Sequence, residues 1–278
     1  MSGPGPLSPA SGTRRWREIG AGVFVRSFPD YRVNVGLIVG SDGALVVDTR
    51  ASERQGQELK RAVGFITHLP LTVVNTHHHF DHVLGNASFG HADIWGQERC
   101  VTRLRDEAST IRAALAAAMP DTTPEYTETR IAPPTRTFRD HATLQLGGRT
   151  VELLHLGRGH TDNDVVVFVP DAGALFCGDL VEEGAPPSFE DSWPMDWPGT
   201  LARMLEMPAK QFVPGHGNAV DRAFVAGQMS EIRVLADLAR SARFDGGIVA
   251  DALPDSPFPG KTGGIAMTRA FAQLAGEI

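Results

Sequence analysis

The chain has 278 residues and a formal net charge of −7, with 42% hydrophobic and 21% charged residues. This composition is typical of globular proteins, and an acidic chain lacks the basic surface that nucleic-acid-binding proteins need. No stretch reaches the roughly 18 apolar residues of a membrane span. Two cysteines are too few for a disulfide framework. We therefore expect a cytoplasmic protein that acts on a small molecule, without a nucleic-acid or membrane partner; the sequence leaves the oligomeric state open.

Residues 1–15, which are rich in glycine, proline and serine, are predicted to form a flexible tail. Residues 16–278 are predicted to form a single domain, because no internal repeat or long linker divides them. The strands expected in the first half are Gly22–Val25, Val33–Val39, Ala44–Val47, Leu71–Asn75 and Ala92–Gly96. Helices are expected over Ser52–Phe65 and Cys100–Met119, and Pro120–Arg136 is expected to be a loop.

A second β-rich half begins near Thr137. Its expected strands are Phe138–Arg139, Ala142–Leu146, Thr150–Leu156, Val165–Val169, Ala174–Cys177 and Gln211–Val213. Helices are expected over Pro198–Met207 and Val220–Arg243, with a C-terminal helical extension after them. Two strand-rich halves, each followed by helices, predict an α/β protein in which two sheets pack face to face between outer helices, a four-layer αββα sandwich.

A cluster of metal-ligating side chains follows the predicted strand Leu71–Asn75. It contains His77, His79, Asp81 and His82. His77 and His79 are two positions apart at a strand end, so both side chains can point to the same side, while Asp81 and His82 lie in the following turn, within reach of a second metal. Imidazole is a common metal ligand near neutral pH, and carboxylates add the negative charge that a divalent cation requires.

Three further candidates, His160, Asp179 and His216, each follow an apolar strand in a glycine-rich turn. Glycine permits the sharp turns and close backbone approach that ligand-binding loops need. Taken singly, each is as readily an ordinary loop or core residue, and the cluster at 77–82 is as readily a solvated histidine-rich tract that binds metal adventitiously. Four such positions in this order favour a metal centre.

Together these residues resemble the metallo-β-lactamase-fold hydrolases over about residues 20–220. The resemblance is closest to the glyoxalase II-like, lactonase-like and polyketide cyclase-like branches. The positions that match the family pattern are Asp48, His77, His79, Asp81, His82, His160, Asp179 and His216. The resemblance implies the αββα fold and two divalent metal ions, zinc above all, with iron or manganese as alternatives.

The resemblance also implies a role for each matching residue. One metal would be held by His77, His79 and His160, the other by Asp81, His82 and His216, and Asp179 would bridge them. Asp81 would also orient the nucleophile or take part in proton transfer, and Asp48 would support a histidine ligand. Because the β-lactamases proper usually carry cysteine or serine where this chain has Asp179, antibiotic hydrolysis is not expected.

Two cations a few ångströms apart lower the pKa of a water between them towards about 7. The expected activity is therefore attack of a metal-activated hydroxide on a small-molecule ester, thioester or lactone. Two alternative activities are compatible with the same fold and metal site: an iron-dependent oxygenase resembling persulfide dioxygenases, and a polyketide cyclase or thioesterase.

Substrate choice is expected to depend on three segments, which are 100–136, 181–197 and 244–278. In the first, Ala113–Ala118 is either a mobile lid or a helix packed on its neighbours. In the second, Phe189, Trp193 and Trp197 either form an apolar wall that binds substrate or pin a proline-rich loop to the body.

Four other residues receive structural interpretations. Cys177 is expected to be buried in strand packing. Glu182 and Glu183 are expected to be solvated charges, and Arg158 is expected to form a surface ion pair.

Overall fold

The computed structural model describes residues 15–118 and 123–278, so residues 1–14 of the predicted tail lie outside the described residues. Its strands, numbered in chain order, form two sheets. The first contains, in spatial order, β1 (Arg17–Gly20), β2 (Val23–Ser27), β3 (Asn34–Val39), β4 (Ala44–Val47), β5 (Leu71–Val74), β6 (Ile94–Gln97) and β7 (Arg136–Phe138). The second contains, in spatial order, β12 (Gln211–His216), β11 (Ala174–Glu182), β10 (Val166–Val169), β9 (Thr150–Leu154) and β8 (His141–Gln145).

The helices lie between and after the strands. They are α1 (Glu53–Gly64), α2 (Phe80–Val83), α3 (Glu98–Asp106), α4 (Ala108–Ala118), α5 (Thr123–Glu128), α6 (Trp197–Glu206), α7 (Arg222–Phe244), α8 (Val249–Ala252) and α9 (Gly260–Ala275), with 3₁₀ turns at Asn86–Phe89 and Leu253–Asp255. Polar side chains cap the first turns of α1 and α7: the Ser52 hydroxyl accepts a hydrogen bond from the backbone N–H of Gln55 at 3.1 Å, and the Asp221 carboxylate accepts one from that of Phe224 at 2.9 Å. In the described ranges, no helix is both long and apolar enough to cross a bilayer.

The core occupies three interfaces, and strand β4 shows how alternate side chains divide between two of them. Leu45 and Val47 lie in the core between the two sheets, whereas Val46 packs on the other face against Leu59 of α1. The second sheet does the same, because the side chains on its outer face, such as that of Leu175, pack under α6, α7 and α9. The order helix, sheet, sheet, helix confirms the predicted αββα sandwich.

Several element boundaries differ from the sequence-based expectations. Strand β12 continues to His216, so this residue ends the strand rather than lying in a turn after it. The helix expected over Cys100–Met119 is two helices, because α3 ends at Asp106 and Glu107 leaves helical geometry before α4 begins. The segment expected to be a loop contains α5, which has a proline in its first turn, where a missing N–H costs nothing. Strand β11 continues to Glu182, so Asp179 lies within the strand rather than in a turn after it.

Parallel pairing brings together the strand ends that lie next to the candidate metal ligands. Strand β4 pairs with β5, and β11 pairs with β12, both in parallel, so each pair finishes at the same edge of its sheet. The two edges are joined directly, because the Asn34 side-chain amide donates hydrogen bonds to the carbonyls of Pro214 at 2.9 Å and Gly217 at 2.8 Å. Residues at both edges therefore face one shared site.

Candidate metal centre

The seven predicted ligands lie together at this edge in two adjoining groups. The first group contains His77, His79, His160 and Asp179, and the second contains Asp81, His82 and His216. Within each group the candidate ligand atoms all lie within 4.8 Å of one another. Residues that are more than a hundred positions apart in the chain are thus brought together by the two sheets.

The spacing of these atoms suits a tetrahedral cation. Ligand atoms about 2.0–2.1 Å from a tetrahedral zinc lie roughly 3.4 Å from one another. In the first group, His160 Nε2 lies 2.8 Å from His79 Nδ1 and 3.6 Å from Asp179 Oδ2. In the second, His216 Nε2 lies 3.3 Å from both His82 Nε2 and Asp81 Oδ2.

Asp179 lies between the two groups. Its Oδ2 atom is 3.7 Å from His77 Nε2 and 3.2 Å from His216 Nε2, and its Oδ1 atom is 3.3 Å from His82 Nε2. Gly215 makes room for this carboxylate, because a Cβ atom there would lie 1.7 Å from Asp179 Oδ1. A carboxylate in this position can reach a cation in either group.

Each imidazole of the first group is oriented by a contact at its other nitrogen. The Nδ1 atom of His77 lies 3.0 Å from the hydroxyl of Thr76, whose own proton goes to Asp48. The Nδ1 atom of His160 lies 3.2 Å from the carbonyl of Ser188, to which it donates. Such contacts fix the tautomer and leave the other nitrogen free to bind a cation.

His79 is oriented by Asp191, which sequence reasoning missed. Its Nε2 atom lies 3.1 Å from Asp191 Oδ1, so that Nδ1 faces the metal site. The neighbouring His78 accepts a hydrogen bond at Nδ1 from the Asn163 amide, which places its own proton on Nε2, 3.3 Å from Asp191 Oδ2. Burial opposes charge on Asp191, but His79 and His78 outweigh it and hold the pKa of this carboxyl well below its usual value.

The second group is oriented in the same way. His82 Nδ1 lies 2.8 Å from Asp48 Oδ2, and the other oxygen of Asp48 accepts a hydrogen bond from the backbone N–H of Thr76 at 2.8 Å. His216 Nδ1 donates to the carbonyl of Tyr31 at 2.7 Å. Asp48 adopts a φ of 66°, a strained conformation for an aspartate, and it is buried at the end of β4.

Two buried atoms at the centre have no hydrogen-bond partner among the described residues: His77 Nε2 and Asp179 Oδ1. Buried polar atoms are almost always paired, because an unpaired one loses its hydrogen bonds to water without replacement. His77 Nε2 belongs to the first group, and Asp179 Oδ1 lies 3.3 Å from His82 Nε2 of the second, so both atoms face the metal-ligand groups. The residues present therefore fit a divalent metal.

The histidines of the two groups differ in their electrostatics, and those of the first group also differ among themselves. Burial opposes charge on His79, but Asp191 outweighs it and raises the pKa of His79 to about 9. Burial lowers the pKa of His77 well below its ordinary value and that of His160 to about 4, so both imidazoles are neutral near pH 7. Burial also opposes charge on His82 and His216, but Asp179 and the other nearby carboxylates outweigh it, raising the pKa of His82 well above its ordinary value and that of His216 to about 9. The carboxylates thus stabilise positive charge in the second group, the charge that a cation brings.

A cavity of about 460 Å³ opens over both groups. Its wall includes Tyr31, Phe80 and Glu182. Glu182 is not the solvated charge expected from the sequence, because its side chain is only 10% exposed and accepts a hydrogen bond from the backbone N–H of Ser188 at 2.8 Å. Burial and the neighbouring Asp179 raise the pKa of Glu182 to about 8. Its neighbour in the chain, Glu183, does face solvent in part and pairs with Arg32 at 3.6 Å.

The aromatic residues expected to bind substrate lie elsewhere. Phe189 and Trp197 are at most 1% exposed and pack in the core under the second sheet with Phe258. Trp193 is 9% exposed and is covered by the guanidinium of Arg158, 3.8 Å from the ring centroid. None of the three lines the cavity over the metal-ligand groups. They pin the loop between β11 and α6 to the body, the alternative role considered for them.

Two other structural interpretations agree with the structure. Cys177 is buried among the side chains under the second sheet. Arg158 forms an ion pair with Asp196 at 2.6 Å, and both side chains are partly exposed.

Comparison with known proteins gives consistent results. Residues 29–216 match the family described as the metallo-beta-lactamase superfamily. An acyl-coenzyme A thioesterase, MBLAC2 of Bos taurus, is 27% identical over 209 residues, which cover 67% of this chain and 74% of that protein. A hydroxyacylglutathione hydrolase of Synechococcus sp. (strain JA-3-3Ab) is 25% identical over 142 residues, 50% of this chain and 45% of that one.

Among solved structures, the DIM-1 metallo-beta-lactamase superposes with a TM-score of 0.63 at 19% identity. The superposition covers 79% of this chain and 96% of that one. At this identity the likeness concerns the fold, in which both chains share the same sandwich.

Proposed function

This chain belongs to the metallo-β-lactamase superfamily, and we propose that it is a dinuclear metal-dependent hydrolase of small-molecule thioesters, with esters and lactones as chemically related substrates. One observation carries the proposal: two groups of metal-ligating side chains converge on one cavity. Every imidazole in them has its outer nitrogen in contact with an oxygen atom of the protein. Such oriented ligands around an open cavity are typical of catalytic rather than structural metal sites.

The proposed ligands are those that the sequence motif names. One cation would be held by His77, His79 and His160, the other by Asp81, His82 and His216, with Asp179 shared between them. Imidazole and carboxylate donors suit zinc, and also iron or manganese. When bound, two such ions lower the pKa of a water molecule and polarise a substrate carbonyl.

The chain's own side chains then position the reactants. Asp81 lies 3.3 Å from His216 Nε2 and lines the cavity, so its carboxylate can accept a hydrogen bond from the attacking water and orient it. Asp48 does not reach the cavity and acts through His82, whose ring it holds. Phe80 and Tyr31 contact each other edge to face, with ring centroids 5.1 Å apart, and together they limit the space open to substrate.

Three observations support a small thioester. The cavity volume of about 460 Å³ is that of a small-molecule site. A relative that matches two thirds of this chain is named as a thioesterase, and a second is named as a hydrolase of a glutathione thioester. Glu183 and Glu190 at the rim of the cavity outnumber Arg32, the one arginine among the described lining residues, which pairs with Glu183, and so they disfavour a strongly anionic leaving group. The acidic, cysteine-poor sequence supports a cytoplasmic location.

The proposal is tested by measuring metal content and thioester hydrolysis on the same preparations. We expect about two zinc ions per chain, and hydrolysis of acetyl-N-acetylcysteamine that is lost on chelation and restored by zinc. The thioester of N-acetylcysteamine should be cleaved better than that of coenzyme A, because the latter brings phosphates to an acidic rim. His77→Ala is expected to remove both metal and activity.

Two results would contradict the proposal. One is hydrolysis that survives both chelation and His77→Ala, which would place the chemistry outside the metal centre. The other is a single iron per chain in protein that cleaves no thioester, ester or lactone, which would favour oxygen chemistry on the same frame.

A further inference from the structure

A second cavity, of about 370 Å³, adjoins the one over the metal centre. The two cavities share the side chains of His79 and Phe80. Among the described residues these two side chains form the shared wall of the cavities, so a molecule whose reacting group lies at the metal centre can extend past Phe80 into the second cavity. We call this second cavity the α4 groove.

The far wall of the α4 groove is one face of a helix. Ile111, Ala114, Leu115 and Ala118 line it, at the spacing i, i+3, i+4 and i+7 that places side chains on one side of a helix. All four are apolar, and the two alanines leave room that larger side chains would fill. The helix is held in place because Leu115 is buried in a cluster with Val83, Leu104 and Tyr126.

The polar groups of the groove lie at its other end, near the metal centre. They are His78, His79, Glu107 and Asp191. The first two and Asp191 are already engaged with one another, with His78 Nε2 and His79 Nε2 at 3.3 and 3.1 Å from the Asp191 carboxylate. No lysine or arginine is among the groove's lining residues, so nothing there would attract a carboxylate or phosphate. Glu107 pairs with Arg103 at 2.9 Å. The rest of the lining, which is Phe80 and the four side chains of α4, is apolar.

We propose that the α4 groove binds the acyl chain of the substrate. This inference rests on the proposed function and specifies its substrate class: a thioester with an unbranched aliphatic acyl group of medium length. From Ile111 to Ala118 the helix rises about 10 Å, which suits a chain of that size. Burial of each methylene against the apolar face favours binding, so the specificity of the enzyme increases with acyl length.

The test compares two substitutions on the same helix. Ala114→Phe places a ring in the groove, whereas Ala117→Phe places the same ring on an exposed face that does not line the groove. The kcat/KM of each variant is measured on the acetyl, butyryl and octanoyl thioesters of N-acetylcysteamine. In the wild type, kcat/KM rises from acetyl to octanoyl. Ala114→Phe lowers the octanoyl-to-acetyl ratio at least about tenfold, while Ala117→Phe leaves it unchanged.

A binding measurement makes the inference testable apart from activity. The probe is the thioether analogue of octanoyl-N-acetylcysteamine, in which the carbonyl is replaced by a methylene, and its Kd is measured by isothermal titration calorimetry. The Kd is expected to rise at least about tenfold in Ala114→Phe and to stay the same in Ala117→Phe. Folding of each variant is checked by its metal content and melting temperature.

The outcomes separate the two proposals. If the wild type cleaves thioesters but its octanoyl-to-acetyl ratio is the same in Ala114→Phe, the acyl-chain inference is overturned and the proposed function stands. If no thioester is cleaved, the proposed function fails, and the thioether Kd decides the inference alone. Equal affinity of wild type and Ala114→Phe for the thioether would then overturn it.

Discussion

The metal centre and the helical wall beside it differ in how their side chains are held. At the candidate metal centre the metal-ligating side chains lie in or shortly after strands of two sheets and are mostly buried, and each imidazole has a second partner that fixes its orientation. In the wall, α4 is held to the body by Leu115, and Ala114 and Ala117 are exposed. Substitutions at the centre should therefore cause large losses of metal binding and activity, whereas substitutions in the wall should change substrate specificity more gradually.

Removing a ligand should give the largest effect. His82→Ala is expected to reduce the metal content from about two ions per chain to one and to lower kcat/KM by more than about a hundredfold, beyond the range for residues that only support a ligand. Elemental mass spectrometry and a thioester assay measure the two effects. The control is His68→Ala, which changes an exposed histidine that precedes β5, at the opposite end of that strand from His77. If the His82→Ala variant still bound both metals, the expectation that substitutions at the centre have the largest effects would be wrong.

Removing a supporting carboxylate should give the next largest effect. Asp48→Asn replaces one carboxylate oxygen with an NH2 group. With the remaining oxygen held by the backbone N–H of Thr76, His82 Nδ1 faces a donor in place of its acceptor, and we expect metal affinity in the second group to fall about 10–100-fold. Competition with a chromophoric chelator measures this affinity. Asp42→Asn, in the exposed turn between β3 and β4, is the matched control. Unchanged affinity in Asp48→Asn would mean that packing alone orients the histidine.

Asp191 supports the first group from a more exposed position, and so sharpens the comparison. Its side chain is 34% exposed, against 2% for Asp48. Asp191→Asn should weaken zinc binding by roughly tenfold, at the low end of the range for supporting residues, because water can replace part of the contact. Asp196→Asn, in the same loop but paired only with Arg158, should not change it. If Asp191→Asn lost as much zinc affinity as Asp48→Asn, the contribution of a supporting carboxylate would not depend on how exposed that carboxylate is.

The smallest effect is expected in α5, which packs against the helical wall because Tyr126 lies in one buried cluster with Leu115 of α4. The hydroxyl of Tyr126 in α5 lies 3.0 Å from that of Tyr31. Tyr126→Phe removes this contact and should lower the free energy of unfolding by about 1 kcal/mol, the usual net value of one hydrogen bond. Urea denaturation measures the change, and the metal content should stay the same. A loss of metal in this variant would show that the wall and the centre are coupled.

Much of the fold followed from local patterns, because apolar runs separated by turn residues predicted most of the strands and long helices. The expected strand Ala44–Val47 is β4 itself. The break at Glu107 and the helix α5 were missed, since an alanine-rich sequence carries no stop signal and a proline-rich one reads as loop. Strand β11 was predicted too short because Gly178, with a φ of 54°, resembles the end of a strand.

Some residues of the candidate site could be predicted from the sequence, and others could not. The seven candidate ligands that the structure brings together could be picked out from the sequence, because they lie in or shortly after apolar strands at the spacing of a known motif. Asp191 could not, because it meets His79 only through the folding of a loop 112 positions further along the chain. Phe189 and Trp197 show the opposite case. They are close in sequence to the candidate ligands, but their large apolar side chains are buried under the second sheet rather than in the cavity.

The candidate ligands come from both halves of the sandwich. His77–His82 belong to the first sheet's edge, whereas Asp179 and His216 belong to strands of the second. A cation held by all of them is also a crosslink between the two sheets. The free energy of metal binding then contributes to the stability of the folded state, because the cation that enables the chemistry also ties the two sheets together at the edge where the site lies.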